Sequence, residues 1–207
     1  MSENIKKKHK YLNEVANVTV LAFANQKKIF EESETNFYLS KKINSRLFNY
    51  LKILLISYFQ IPKLINKHKI EIVTFQDPVT SFLGVYKIKK KFKNVKIVLE
   101  SHGDFINTLG LEKNLVIPQV YKKLFSKMAS FTISNSDILR AVSSSTEEQA
   151  LSFDPSKKVV RFPAWVDFEV FSNVKPLRNN EKNFKILFIG SVTDRKKPHL
   201  IVEAMNN

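Results

Sequence analysis

Short apolar, β-branched runs alternate along this chain with longer stretches of helical periodicity. The runs at 18–23, 70–75, 95–100, 138–142, 159–162 and 186–189 are almost unbroken in hydrophobic character. A parallel strand covered on both faces requires that pattern. Between and around them, stretches at 45–65, 79–92, 114–129, 145–151 and 198–205 repeat apolar residues every three or four positions, which predicts helices. Strands separated by helices predict an α/β fold built on a doubly wound parallel sheet. Ser145, Thr146, Glu147 and Glu148 predict a capping box for the fourth helix, with a hydroxyl at its start and a carboxylate three residues on.

The stretch SNVKPLRNNEKN at 172–183 is polar, contains Pro176 and lacks apolar periodicity, so it reads as a linker. It separates a first domain over 1–171 from a unit over 184–207 that holds one strand, one loop and one helix. The most membrane-like segment is RLFNYLKILLISYFQIPKLI at 46–65. Asn49, Lys52, Ser57 and Gln60 fall on one narrow helical stripe, and Lys52, Pro62 and the limited length argue against a membrane span. A mostly buried helix is expected there, with docking on a membrane surface as the alternative. The first residues, MSENIKKKHKYLNEVANVTVLAF, do not have the pattern of a secretory signal.

A hydrophobic fraction of 43% with 17 Phe is ample for a packed core. The absence of cysteine excludes disulfides, thiolate zinc sites and a cysteine nucleophile, and it fits a reducing compartment. His9, His68, His102 and His199 are scattered without metal-ligand spacing, so no metal is expected. The net charge of +15 fits nucleic acid, an anionic membrane or phosphorylated substrate, or a lysine-rich composition without a specific meaning. Bases occur in every segment and no zinc-finger, RNP-type or basic-zipper pattern is present, so nucleic acid is not expected as a partner.

Ligands of open parallel sheets bind outside the carboxyl ends of the strands. Three loops qualify. Gln76-Asp77-Pro78 follows the second run, with Thr80 and Ser81 just beyond; the alternative there is an aspartate that merely caps a helix. His102-Gly103-Asp104 follows VKIVLES. Its histidine could donate to a sugar hydroxyl or a phosphate, and glycine lets backbone approach closely; the alternative is a solvated structural loop. Gly190 follows FKILFI, with Arg195, Lys196 and Lys197 close behind. Backbone N–H groups there could face an anion, and a lysine–phosphate bond adds about 1.5–3 kcal/mol; a solvated basic turn is the alternative. Neither GxGxxG nor GxxxxGK[ST] occurs.

Taken in order, QDP, HGD after an aliphatic strand, AVSSSTEEQ, KVVRFPAWVDFEVF and KILFIGSVTDRKKPHLIVEA resemble the family-4 retaining glycosyltransferases of the GT-B fold. The family's vPNGVD…F segment is matched by Phe162, Pro163, Ala164, Trp165, Val166 and Asp167 with Phe171. Its ILFVGRL..KG...LIEA segment is matched by residues 186–190 with Lys196, Leu200, Glu203 and Ala204. The resemblance implies two Rossmann-like domains, the first binding mainly the acceptor and the second mainly a nucleotide-sugar donor. It implies that His102 is the catalytic histidine on the transferred sugar and that Gly190, Ser191 and Lys196 bind the donor diphosphate. Gln76, Asp77, Gly103 and Asp104 would form the acceptor-side loops. No cofactor or metal is implied, the nucleotide-sugar being a co-substrate.

The expected acceptor is a glycan or a lipid-linked sugar, in the cytoplasm and at the inner face of an anionic membrane. The chain departs from the family at Ser191, where arginine is common, and at Lys197, where glycine usually follows the lysine. The family's leading strand and glycine-rich loop would precede the segment 11–23, and its paired acidic motif would lie beyond residue 207. The expectation is therefore a truncated second domain and no turnover by this chain alone. A non-catalytic, basic acceptor-binding or membrane-surface module is the alternative.

Overall fold

A computed structural model describes residues 3–105, 118–164, 166, 168–172, 186–190, 192 and 196–206. The chain divides into two units, Met1–Val166 and Asp167–Asn207. In the first, helix α1 (Glu3–Asn13) precedes strands β1 (Thr19–Ala24), β2 (Lys28–Glu32) and β3 (Thr35–Lys41). Then come α2 (Arg46–His68), β4 (Ile72–Phe75), α3 (Phe82–Lys91), β5 (Lys96–Ser101), α4 (Pro118–Asn135), β6 (Ile138–Ala141), α5 (Ser144–Phe153) and β7 (Val159–Arg161).

The apolar runs behave as their continuity predicts. β4, β5, β6 and β7 form a parallel four-stranded sheet in chain order, with α3, α4 and α5 in the connections. This is the expected α/β, Rossmann-like arrangement. Phe75, Leu99, Leu139 and Val159 fall in one row across the sheet. Ile88 of α3, Ile133 of α4 and Ala150 of α5 are fully buried and join the same core. Each fully buried Leu or Ile in such a row contributes about 1.5–3 kcal/mol. Gly84 lets α3 approach closely: a Cβ there would lie 2.9 Å from the Phe75 ring and 3.1 Å from Ser57 Cβ of α2.

The first sheet was only partly legible. β1 pairs in parallel with β3, and β3 pairs antiparallel with β2. The β2–β3 connection is a two-residue turn in which Ser33 (φ 50°) and Glu34 (φ 61°) both take positive φ. Such turns usually signal themselves by Asn-Gly, and Ser-Glu conceals this one. Replacing Ser33-Glu34 by Asn-Gly is expected to stabilise the fold by about 1–2 kcal/mol, read as a raised urea midpoint at unchanged slope. α1, also unexpected, is fastened to this hairpin. Asn13 Nδ2 donates to the Ser33 carbonyl and to Thr35 Oγ1, and the His9 ring meets Phe37 edge-on at 5.5 Å. Burial, followed by the nearby Lys8 charge, lowers the pKa of His9.

Three expectations need correction. α2 is not mostly buried: Ile61, Leu64, Ile65 and Ser57 face inward, whereas Phe48, Leu51, Leu55 and Phe59 are exposed. Ser57, placed on a polar stripe by its spacing, lies under Gly84 instead. The helix runs on past 65 to His68 despite Pro62, closing on Lys69 in the left-handed region. α5 is capped by Ser143, not Ser145. Ser143 Oγ accepts from the Thr146 amide while Thr146 Oγ1 accepts from the Ser143 amide, so a threonine takes the part assigned to Glu148. In the second unit, which holds α6 (Glu169–Ser172) and α7 (His199–Asn206), residues 186–189 pair with no described strand. Without a ladder neighbour, Leu187 and Ile189 are exposed. Residues 114–117 of the third expected helix lie outside the described residues.

Candidate functional site

Register brings two charges together in the middle of the four-stranded sheet. Glu100 on β5 stands opposite Arg140 on β6, on the face away from Leu99 and Leu139, because side chains alternate along a strand. Both are buried, at 9% and 8% exposure. Arg140 donates to Glu100 Oε1 at 2.9 Å and to the Pro163 carbonyl, just beyond β7, at 2.7 Å. Its guanidinium also lies 4.1 Å from the centre of the Phe162 ring. The other carboxylate oxygen, Oε2, is 2.8 Å from His102 Nε2. Glu100 therefore bridges a buried arginine and a histidine whose side chain is 42% exposed.

Burial acts to raise the Glu100 pKa, but the hydrogen bonds from His102 and Arg140 and the Arg140 charge outweigh it and hold it below the usual carboxylate range. Asp137 is lowered in the same manner. Burial opposes ionisation there, while the Ile97 amide, Lys89 and Lys96 favour it. Carboxylates with depressed folded values stabilise the fold fully above their unfolded values and lose that contribution as pH falls through the folded ones. Stability is thus expected to be level above about pH 6.5, to begin to decline below it because the folded value of His9 is lowered as well, and to drop further below about pH 4.5 as the carboxylates titrate. Glu100→Gln should flatten that acid limb in urea titrations at stepped pH.

The rest of the loop surrounds this pair. Among the described residues nothing lies within 4 Å of where a Cβ on Gly103 would stand, so none of them covers the backbone beside His102. Asp104 accepts from Gln149 Nε2 of α5 at 2.7 Å. Among the described residues, five buried side-chain polar atoms lack a partner, and three of them, Ser101 Oγ, Arg140 Nε and Gln149 Oε1, belong to residues gathered at this end of the sheet.

The remaining candidates fall elsewhere. Gln76 is exposed after β4. The Asp77 carboxylate is taken up locally, accepting from the Val79 and Thr80 amides at 2.9 and 2.6 Å, which is the capping arrangement that spacing left open. In the second unit Gly190 and Lys196 are exposed, Gly190 does not adopt positive φ, and Ser191 lies outside the described residues. Among the described residues no three His, Asp or Glu side chains gather as metal ligands. Sequence reasoning missed Glu100, Arg140 and Gln149 as site residues. Its available signal was a charge of each sign embedded in an apolar strand run.

Further towards the amino terminus, a cavity of about 380 Å³ is lined by Lys41, Lys42, Ile43, Asn44 and Lys52, between the end of β3 and α2. No described helix is long and apolar enough to cross a membrane.

A search of curated proteins finds no match. Comparison with known protein families matches residues 10–170 to Glycosyltransferase Family 4. That span takes in all four strands of the parallel sheet, the Glu100–Arg140 pair and the His102 loop. The chain, matched over well more than half its length, belongs to Glycosyltransferase Family 4.

Proposed function

We propose that this protein takes part in moving a sugar from a nucleotide-sugar donor to a glycan or lipid-linked acceptor with retention of configuration. The observation that supports the reading most is the His102 ring, fixed from behind by buried Glu100 and exposed beside the backbone of Gly103, which no described residue covers. A fixed polar group next to such backbone suits a hydroxyl-rich ligand. In such a transfer, negative charge develops on the departing diphosphate, and fixed cations and N–H dipoles stabilise it; Gly190, Ser191 and Lys196 are the residues proposed for that task. His102, Gly103 and Asp104, with Gln76 and Asp77, form the proposed sugar- and acceptor-side loops. Proposed residue boundaries are a first domain over 1–171, a linker over 172–183 and a donor-side unit over 184–207.

Saturation-transfer NMR with a panel of nucleotide sugars and free glycans tests this. Sugar-ring protons should receive saturation from the wild type, and His102→Ala should weaken binding about tenfold, the loss of roughly one 1.4 kcal/mol contact. Saturation confined to the nucleobase, or equal for the variant, would remove the reading. The anomeric coupling of any transferred sugar reports its configuration.

A second reading, peripheral contact with an anionic membrane, is favoured by α2. Phe48, Leu51, Leu55 and Phe59 lie exposed along one face of it near the lysine-lined cavity, a pairing suited to an acyl boundary and its phosphates. Flotation with anionic but not neutral vesicles, lost in Leu55→Ser/Phe59→Ser, would support it. Equal recovery with both vesicle types would count against it.

A further inference from the structure

We infer that Arg140 and Glu100 are positioning residues that fix His102 in one tautomer, with the proton on Nε2, so that bare Nδ1 is the atom offered to ligand. This goes beyond the proposed glycosyl transfer and depends on it only for the ligand's identity. The geometry carries it. Glu100 Oε1 is engaged by Arg140 NH1 at 2.9 Å, and a guanidinium can only donate. With that charge beside it the carboxylate stays ionised and can only accept, so the 2.8 Å contact to His102 must be Nε2–H donating to Oε2. Arg140 is itself held in place by its bond to the Pro163 carbonyl and by the Phe162 ring, whose centre is 4.1 Å from its guanidinium.

A neutral ring so held has one free position, an acceptor, and its side chain is 42% exposed. An acceptor selects a partner with a proton to give. Sugar and glycan hydroxyls qualify, whereas an ionised phosphate oxygen does not. The site would therefore discriminate for the hydroxyl-bearing part of a ligand and against its phosphates. That corrects the simplest expectation for a loop histidine, which is that it donates.

Long-range proton–nitrogen correlation on histidine-labelled protein at about pH 8.5, well above the ordinary histidine pKa of about 6.5, reads the tautomer directly. His102→Gln identifies the signals. The expected wild-type result is a protonated, pyrrole-like Nε2 and an imine-like Nδ1. Glu100→Gln should reverse this: its amide oxygen turns to Arg140, which can only donate, and presents its NH2 to Nε2. Arg140→Lys, which keeps a donor for Glu100, should retain the wild-type pattern. A proton on Nδ1 in the wild type, an imidazolium persisting at that pH, or no change in Glu100→Gln would overturn the inference. Added methyl glycosides should shift Nδ1, and dimethyl phosphate, an ionised phosphate with no proton to give, should not; a response to dimethyl phosphate alone would overturn the acceptor role. A fixed Nε2–H tautomer with no response to any glycoside upholds the positioning and removes the glycosyl ligand instead.

Discussion

Arg140→Met is expected to destabilise the protein by about 3–5 kcal/mol, the cost of leaving one member of a buried ion pair without the other. Glu100 is 9% exposed and loses its Oε1 partner, while the Pro163 carbonyl loses the 2.7 Å donor that answers it. His102 keeps hold of the other carboxylate oxygen, but a histidine carries a positive charge only when protonated, so it does not replace the permanent charge of the arginine. The deficit should also depend on pH. Burial favours the neutral acid once the arginine is gone, so Glu100 protonates more readily in the variant than in the wild type. The wild type meanwhile gives up its own stabilisation in acid, and the two unfolding curves should converge as pH falls below about 4.5. A deficit unchanged between pH 7 and pH 3.5 would show that lost packing against Phe162, not the orphaned carboxylate, sets the cost.

Leu99→Ala is expected to cost a similar amount, about 3–5 kcal/mol, for a different reason. Leu99 is fully buried between Phe75 and Leu139, its register partners on the neighbouring strands. Both neighbours are held in their strands, so the space left by the missing carbons would close only partly, and cavity cost adds to lost transfer energy. No titratable group is uncovered, and the deficit should stay constant across the same pH range. Urea unfolding of both variants at two pH values separates the mechanisms within one experiment. A Leu99→Ala deficit below about 1 kcal/mol would mean that the sheet collapses around the gap far more readily than this core packing implies.

Much of the fold was legible because buried parallel strands leave a simple trace. The runs that became β4, β5, β6 and β7 are dominated by Ile, Val, Leu and Phe with only one or two polar residues in each, and the helices between them keep their period. The β2–β3 hairpin was not legible, since its turn takes positive φ at Ser33 and Glu34 without the glycine or asparagine that would announce it. β2 is also largely exposed, with Ile29 turned to solvent, so no apolar alternation marked it. α2 misled in the opposite direction. Its composition looks buried all round, yet one apolar face has no covering partner among the described residues. The 186–189 run has the composition of a strand but no described strand beside it, and composition alone makes no ladder.

The candidate site divides along the same line. His102 stood out because a histidine beside a glycine at the end of an apolar run is locally unusual. Glu100 and Arg140 were each visible as a charge inside an apolar run, but 39 residues separate them in sequence. Only the β5–β6 register reveals that they face one another. Gln149 carried no signal, since a polar residue in a helix is ordinary until its partner, Asp104, is known. The Pro163 carbonyl could not have been foreseen, because backbone acceptors look alike in any sequence.

The two-handed grip of Arg140 has a consequence for how the sheet breathes. The Phe162 amide donates to the Ala141 carbonyl, one residue along β6 from the arginine, and Arg140 clasps the next carbonyl, that of Pro163. Fraying of the chain at this point has to break the Arg140–Pro163 bond and lift Phe162 off the guanidinium together, although the Glu100–Arg140 pair between β5 and β6 would survive it. The Phe162 amide should therefore trade its hydrogen with heavy water as slowly as the sheet interior does, although it lies just past a strand of three residues.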